Sequence, residues 1–133
     1  MNAKLLISIG TLGLSLQLLG CGQTAVSYSA DVAPIFQEHC IECHNSTGEG
    51  VSASGFSVHT YASVMKGTNL GTVVIPGSSI SSTLYLVVAQ KTAPEIQMPP
   101  HHSEAWAEGR GSPLSENDLE TIAAWIDQGA LDN

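Results

Sequence analysis

The pentapeptide Cys40-Ile41-Glu42-Cys43-His44 constrains this chain more than any other feature. Two cysteines three positions apart put both sulfurs on one side of a helical turn, and an imidazole follows directly. This C-x-x-C-H spacing is the attachment signature of c-type haem: two thiols add across two vinyl groups, and the adjacent histidine binds iron from the proximal side. Cys40 and Cys43 are therefore the expected covalent attachment points, and His44 the expected proximal ligand. Two rivals share the spacing. A zinc site needs a second pair of soft ligands, which His101 and His102 would supply only by coincidence. A thioredoxin-like pair wants its first cysteine at the start of a helix that follows a strand. Here Val32, Ile35, Phe36 and Cys40 repeat with a helical period, so the cysteines fall at the end of a helix. Asp31 or Ser29 can cap that helix, and Pro34 fits only its first turn.

A second signal lies downstream at Met98-Pro99-Pro100. Following prolines hold a methionine in an extended or polyproline-like loop, from which its thioether can reach iron. Met98 is the expected distal ligand, and a His/Met pair raises the potential relative to harder donors. Met65 is the competing thioether, but Tyr61, Val64 and Met65 share the i, i+3, i+4 pattern of a short helix from about Thr60 to Lys66, closed by Gly67. That pattern assigns Met65 to the core. His39 and His59 read as solvated, while His101 and His102 are the alternative distal ligands.

The N-terminus reads as an address. Residues 1–20 combine a single early lysine, Lys4, with an apolar run too short to span a bilayer, which needs about 20 residues. The run ends in Leu18-Leu19-Gly20-Cys21, which resembles the bacterial lipobox. Cleavage there makes Cys21 the first mature residue and the lipidation site, with residues 21–28 as a tether and 29–133 as one domain. The protein is then exported and lipid-anchored to a bacterial membrane, facing the periplasm or the cell exterior. Beyond residue 20 the only bases are Lys66, Lys91 and Arg110, against 12 acids, and the whole chain carries a formal charge of -8. Such a balance excludes nucleic acid as a partner and calls for a redox partner with a basic docking face. Glu104, Glu108, Glu116, Asp118 and Glu120, beside Trp106, make the stretch after the Met98 loop the expected docking surface.

The remaining pattern is helical. Leu114 to Gly129 is the best helix: Ser115 caps it with Asp118 at N3, Leu114 and Leu119 form a hydrophobic staple, and Leu119, Ile122, Ala123 and Ile126 make its apolar stripe. Trp125 borders that stripe as a core residue. Gly48 to Gly55 has the Gly/Ser/Thr composition of a loop, and Pro76-Gly77 marks a turn. Ile80, Leu84, Val87 and Val88 fit helix spacing, although Val73-Val74-Ile75 and Leu84 to Val88 also fit strands.

Taken together, Asp31-Val32-Ala33-Pro34-Ile35-Phe36, the C-x-x-C-H motif, Ile75-Pro76-Gly77, Leu84-Tyr85, Met98-Pro99-Pro100, Leu114-Ser115 and Trp125-Ile126-Asp127-Gln128-Gly129-Ala130 resemble the planctomycete-type cytochrome c domain, within class I c-type cytochromes. The resemblance spans about residues 29–130. It implies an all-α fold with N- and C-terminal helices packed around one covalent haem c, His44 proximal and Met98 distal. The insert from His101 to Pro113 is longer than the family pattern. The expected function is one-electron transfer rather than catalysis. The alternatives are the haem subunit of a dehydrogenase, a small peroxidase, or a non-haem lipoprotein with a Cys40–Cys43 disulfide.

Overall fold

The computed structural model describes residues 24–100 and 111–133, which form helices joined by turns, with no strand among the described residues. A π-helical turn, Tyr28–Val32, runs into α1 (Ala33–His39), and Cys40 separates α1 from α2 (Ile41–His44). Helices α3 (Glu49–Ser54), α4 (Tyr61–Lys66), α5 (Thr83–Val88) and α6 (Glu116–Asp127) follow, with 3-10 turns at Ser79–Ser81 and Pro94–Ile96.

Local chemistry explains the helix limits. Thr60 and Ser63 satisfy each other's backbone N–H groups in a capping box at the start of α4, and Gly67 ends it at φ 82°. Ser115 accepts from the Asp118 N–H at 3.2 Å and donates to its carboxylate at 2.6 Å, while Glu116 and Asp118 sit at the favourable end of the α6 dipole. Leu114 is buried and Leu119 packs against the core, as a staple requires.

Four details depart from the sequence reading. The first helical turn is capped by Ser27, one turn ahead of Asp31 and close to Ser29, because Ser27 Oγ accepts from Ala30 N while Asp31 reaches back to the Ser27 N–H. The fold also takes in Val26 and Tyr28, which the sequence assigned to the tether: Val26 N donates to the Gln128 side chain and Tyr28 is buried. Gly48 to Gly55 is helical over α3, where Ser52 and Ser54 hydroxyls back-bond to Gly48 and Gly50 carbonyls and Gly55 supplies a left-handed end. Finally, Ile80 stands 76% exposed in a 3-10 turn rather than on the apolar face of α5, because the Ser82 hydroxyl ties that turn back to Ile75 and Ser78.

The core lies where the Tyr28–Val32 turn, at the head of α1, packs against α6. Val32, Val64, Ile122, Trp125 and Ile126 are fully buried, and each such side chain contributes about 1.5–3 kcal/mol on burial. Tyr28 packs edge-on to Tyr61 at 5.1 Å and lies 5.5 Å from Trp125, whose indole N–H donates to the Leu131 carbonyl. The two helices run in opposite directions. Ser29 N donates to the Asn133 carbonyl at one end, and at the other His39 Nε2 lies 3.8 Å from Asp118. No helix among the described residues is long and apolar enough to cross a membrane.

Candidate haem site

A cavity of about 760 Å³ opens at the end of the molecule where α1 stops and α6 starts. Cys40, Cys43, His44 and Met98 all line it, together with Pro99, Pro100, Val88, Leu114 and Ala53. Its size falls within the roughly 300–1,000 Å³ of sites for small ligands and cofactors. Glu38, His39, Glu42 and Glu49 line the cavity as well.

The imidazole of His44 is held by its surroundings. Its Nδ1 lies 2.9 Å from the Phe56 carbonyl. A carbonyl only accepts, so Nδ1 carries the proton and Nε2 keeps a free lone pair, the state a metal-binding histidine needs. The Phe56 ring meets the imidazole edge-on at 5.4 Å, and Val58 N donates to the His44 carbonyl, so the 56–58 segment cradles this residue from both sides. Helix α3 closes the other side. A Cβ on Gly50 would come within 2.6 Å of His44 Cε1 and 2.8 Å of its Nε2, and one on Gly48 would collide with the Cys43 carbonyl. The two glycines let α3 approach the motif. Gly50→Ala is therefore expected to destabilise the protein: overpacking costs about 1–3 kcal/mol, against up to about 1 kcal/mol gained in helix propensity. A urea midpoint unchanged or raised in this variant would refute the packing role.

Both motif cysteines are half-buried, and Cys43 Sγ lies 3.5 Å from a Glu49 carboxylate oxygen. Burial, with a smaller contribution from Cys43, pushes the Cys40 thiol up to about 12 from an ordinary value of 9. Cys40 is thus neutral at physiological pH, and thiolate chemistry there is suppressed. Alkylation of Cys40 in haem-free protein should accelerate steadily with pH up to about 12. The folded state retains this proton where the unfolded chain has lost it, so the haem-free fold should lose stability as pH rises from about 9 toward 12. An alkylation rate that levels off near pH 9 would contradict this burial.

Met98 reaches the cavity on a braced strap. Its N–H donates to the Val87 carbonyl at 3.0 Å, and the preceding Gln97 side chain donates to the Gln90 and Thr92 carbonyls at 3.1 and 2.9 Å. The Met98–Pro99 bond is cis. Met65, in contrast, packs against the core and does not line the cavity, and His59 is exposed. His39 is exposed, as expected, and also lines the cavity. Cys21, His101, His102, Glu104, Trp106 and Glu108 lie outside the described residues.

The donor set suits a c-type haem: two thiols for the vinyl groups, an imidazole with a free Nε2, and a thioether on one cavity. Among the described residues, no group of three His, Cys, Asp or Glu side chains is arranged to hold a metal ion by itself. Residues 40–102 match the family described as Planctomycete cytochrome C. The match supports a planctomycete-type cytochrome c domain over those residues. A cytochrome c domain implies covalently bound haem c and haem-based electron transfer, and it fits an electron carrier rather than an enzyme. The matched stretch of the cytochrome c domain begins at Cys40 and includes Met98. No curated protein and no solved structure matches the chain significantly.

The sequence missed the Gly48 and Gly50 approach and the Phe56 carbonyl. The only trace of the first is two glycines within seven residues of His44.

Proposed function

We propose that the protein is a lipid-anchored carrier that passes one electron at a time through a single haem c. The observation that carries this reading is the convergence of Cys40, Cys43, His44 and Met98 on one cavity. In it, Cys40 and Cys43 hold the haem by thioether bonds. His44 would hold the iron through Nε2, its ring fixed by the Phe56 carbonyl, and Met98 would supply the thioether as second donor. The bound haem supplies the one-electron couple, and the chain's part is to keep both axial donors oriented and water away from the ring. Val88 and Leu114 supply apolar wall for that purpose. The lipid on Cys21 attaches the domain to a bacterial membrane on its periplasmic or outer side.

The partner carries the positive side of the contact. Glu38, Glu42 and Glu49 stand at the cavity, and no Lys or Arg is among its described lining residues. Complementary charge mainly raises the association rate and fades as salt screens it over about 8–10 Å. Visible spectra of oxidised and reduced protein test the haem and its axial set together: a colourless protein from a host that matures c-type cytochromes would end this reading, and an open sixth position would favour peroxidase chemistry. Electron transfer to a basic partner should slow with ionic strength, and more steeply in wild type than in a Glu38→Gln, Glu42→Gln variant. Equal slopes would remove the carboxylates at the cavity from docking.

A further inference from the structure

The tether and the cavity occupy opposite ends of the molecule. Thr24 and Val26 are fastened to the C-terminal end of α6, where Val26 N donates to the Gln128 side chain, whose amide donates to the Thr24 carbonyl. The cavity opens at the other end of the same helix, bounded by Gly111, Ser112 and Leu114 just ahead of the Ser115 cap. Helix α6 has 12 residues, so at 1.5 Å per residue the two ends stand about 18 Å apart. Only three residue steps separate Cys21 from Thr24, a reach of at most about 11 Å. The tether is shorter than the helix.

Surface chemistry distinguishes the same two ends. At the tether end Ala25, Val26 and Leu131 surround a shallow apolar recess floored by Trp125, and Leu131 is 58% exposed. Two acids at this end are engaged within the fold: Asp31 accepts from Ser27 N, and Asp127 accepts from Ser79 N and Oγ. Asp31, Asp127 and Asp132 are all exposed, so acids stand at this end too, and the apolar recess is what sets it apart. The cavity end presents Glu38, Glu42 and Glu49 around its opening.

We propose that the tether end, through Ala25, Val26 and Leu131, rests on the phospholipid headgroups, and that the cavity opens away from the membrane toward a redox partner arriving from the aqueous side. This orientation rests on lipidation of Cys21. A quinol dissolved in the bilayer does not fit it, because the cavity stands a helix length from the lipid.

The test uses the full lipidated, haem-loaded chain on phosphatidylcholine/phosphatidylglycerol vesicles that contain a small fraction of gadolinium-chelating lipid. A nitroxide is placed at Asp132→Cys or at Asn117→Cys, an exposed position in the first turn of α6. With the haem reduced, gadolinium at the headgroups should relax the Asp132 label several-fold more strongly than the Asn117 label. Equal relaxation, or a stronger effect at Asn117, would overturn the orientation. Failure of the lipidated chain to float with vesicles would overturn the anchor reading itself, and this inference with it; flotation with reversed labels would overturn the orientation alone.

Discussion

A Cys40→Ala, Cys43→Ala chain made in a host that matures c-type cytochromes is expected to carry no haem through acid-acetone extraction, whereas wild type keeps all of its colour. Thioether formation needs one thiol per vinyl group, and Cys40 and Cys43 are the two described cysteines, both on the cavity wall. Each single variant should retain one bond and resist extraction. The double variant should also lose stability beyond its two small side chains. The cavity of about 760 Å³ then depends on non-covalent contacts alone to hold the apolar body that fills it, in a chain whose size leaves little stability in reserve. Mass spectrometry reads the adduct directly. Haem retained covalently in the double variant would point to another nucleophile and undo the assignment of the motif.

The second large effect is expected at Met98. Met98→Leu keeps most of the side-chain volume and removes the sulfur, so the thioether-to-iron charge-transfer band of the oxidised protein should vanish. The potential should fall by more than about 60 mV, a tenfold change in a one-electron equilibrium. Met98→Ala should do the same and lose packing besides, with a stability cost below the 2–5 kcal/mol typical of a fully buried methionine, because Met98 is only half-buried. The comparison separates ligation from packing: a band lost in both variants marks the sulfur as ligand. A band that survives in Met98→Leu would send the search for the thioether to Met65, and one absent from wild type would send it to His101 or His102.

What could be read from the sequence was what is decided locally. The Thr60 and Ser115 caps, the Gly67 stop and the Leu114–Leu119 staple each involve residues within a few positions of one another, and they appear where expected. Cys40, Cys43, His44 and Met98 stood out for a different reason, since the proposed cofactor calls for those residue types, and the fold brings all four to one cavity. Helix α3 was hidden because its sequence, Glu-Gly-Val-Ser-Ala-Ser, has the composition of a loop. It is chosen by the close approach that Gly48 and Gly50 permit to the motif, which is a tertiary demand. The tautomer of His44 was equally hidden. It is set by the carbonyl of Phe56, whose identity at the backbone is invisible in the side-chain code. Ile80 failed for a related reason, because a periodicity argument extends α5 through a segment that serine hydroxyls fold into a separate turn.

The hydrogen bonds that join residues 26–29 to residues 128–133 span 102 to 107 positions of chain. Closing a loop of that length costs about 4 kcal/mol in chain entropy, which must be met before those contacts return anything. A chain delivered from its N-terminus therefore presents Cys40 and Cys43 long before the segment that completes the wall around them has arrived. During that interval both thiols lie in unfolded chain, where burial does not yet raise Cys40 above its ordinary value of 9. Under the proposed function, a chain that enters its compartment N-terminus first would offer both sulfurs to haem while the site is still open, and the late arrival of the last helix would then close the wall around the product.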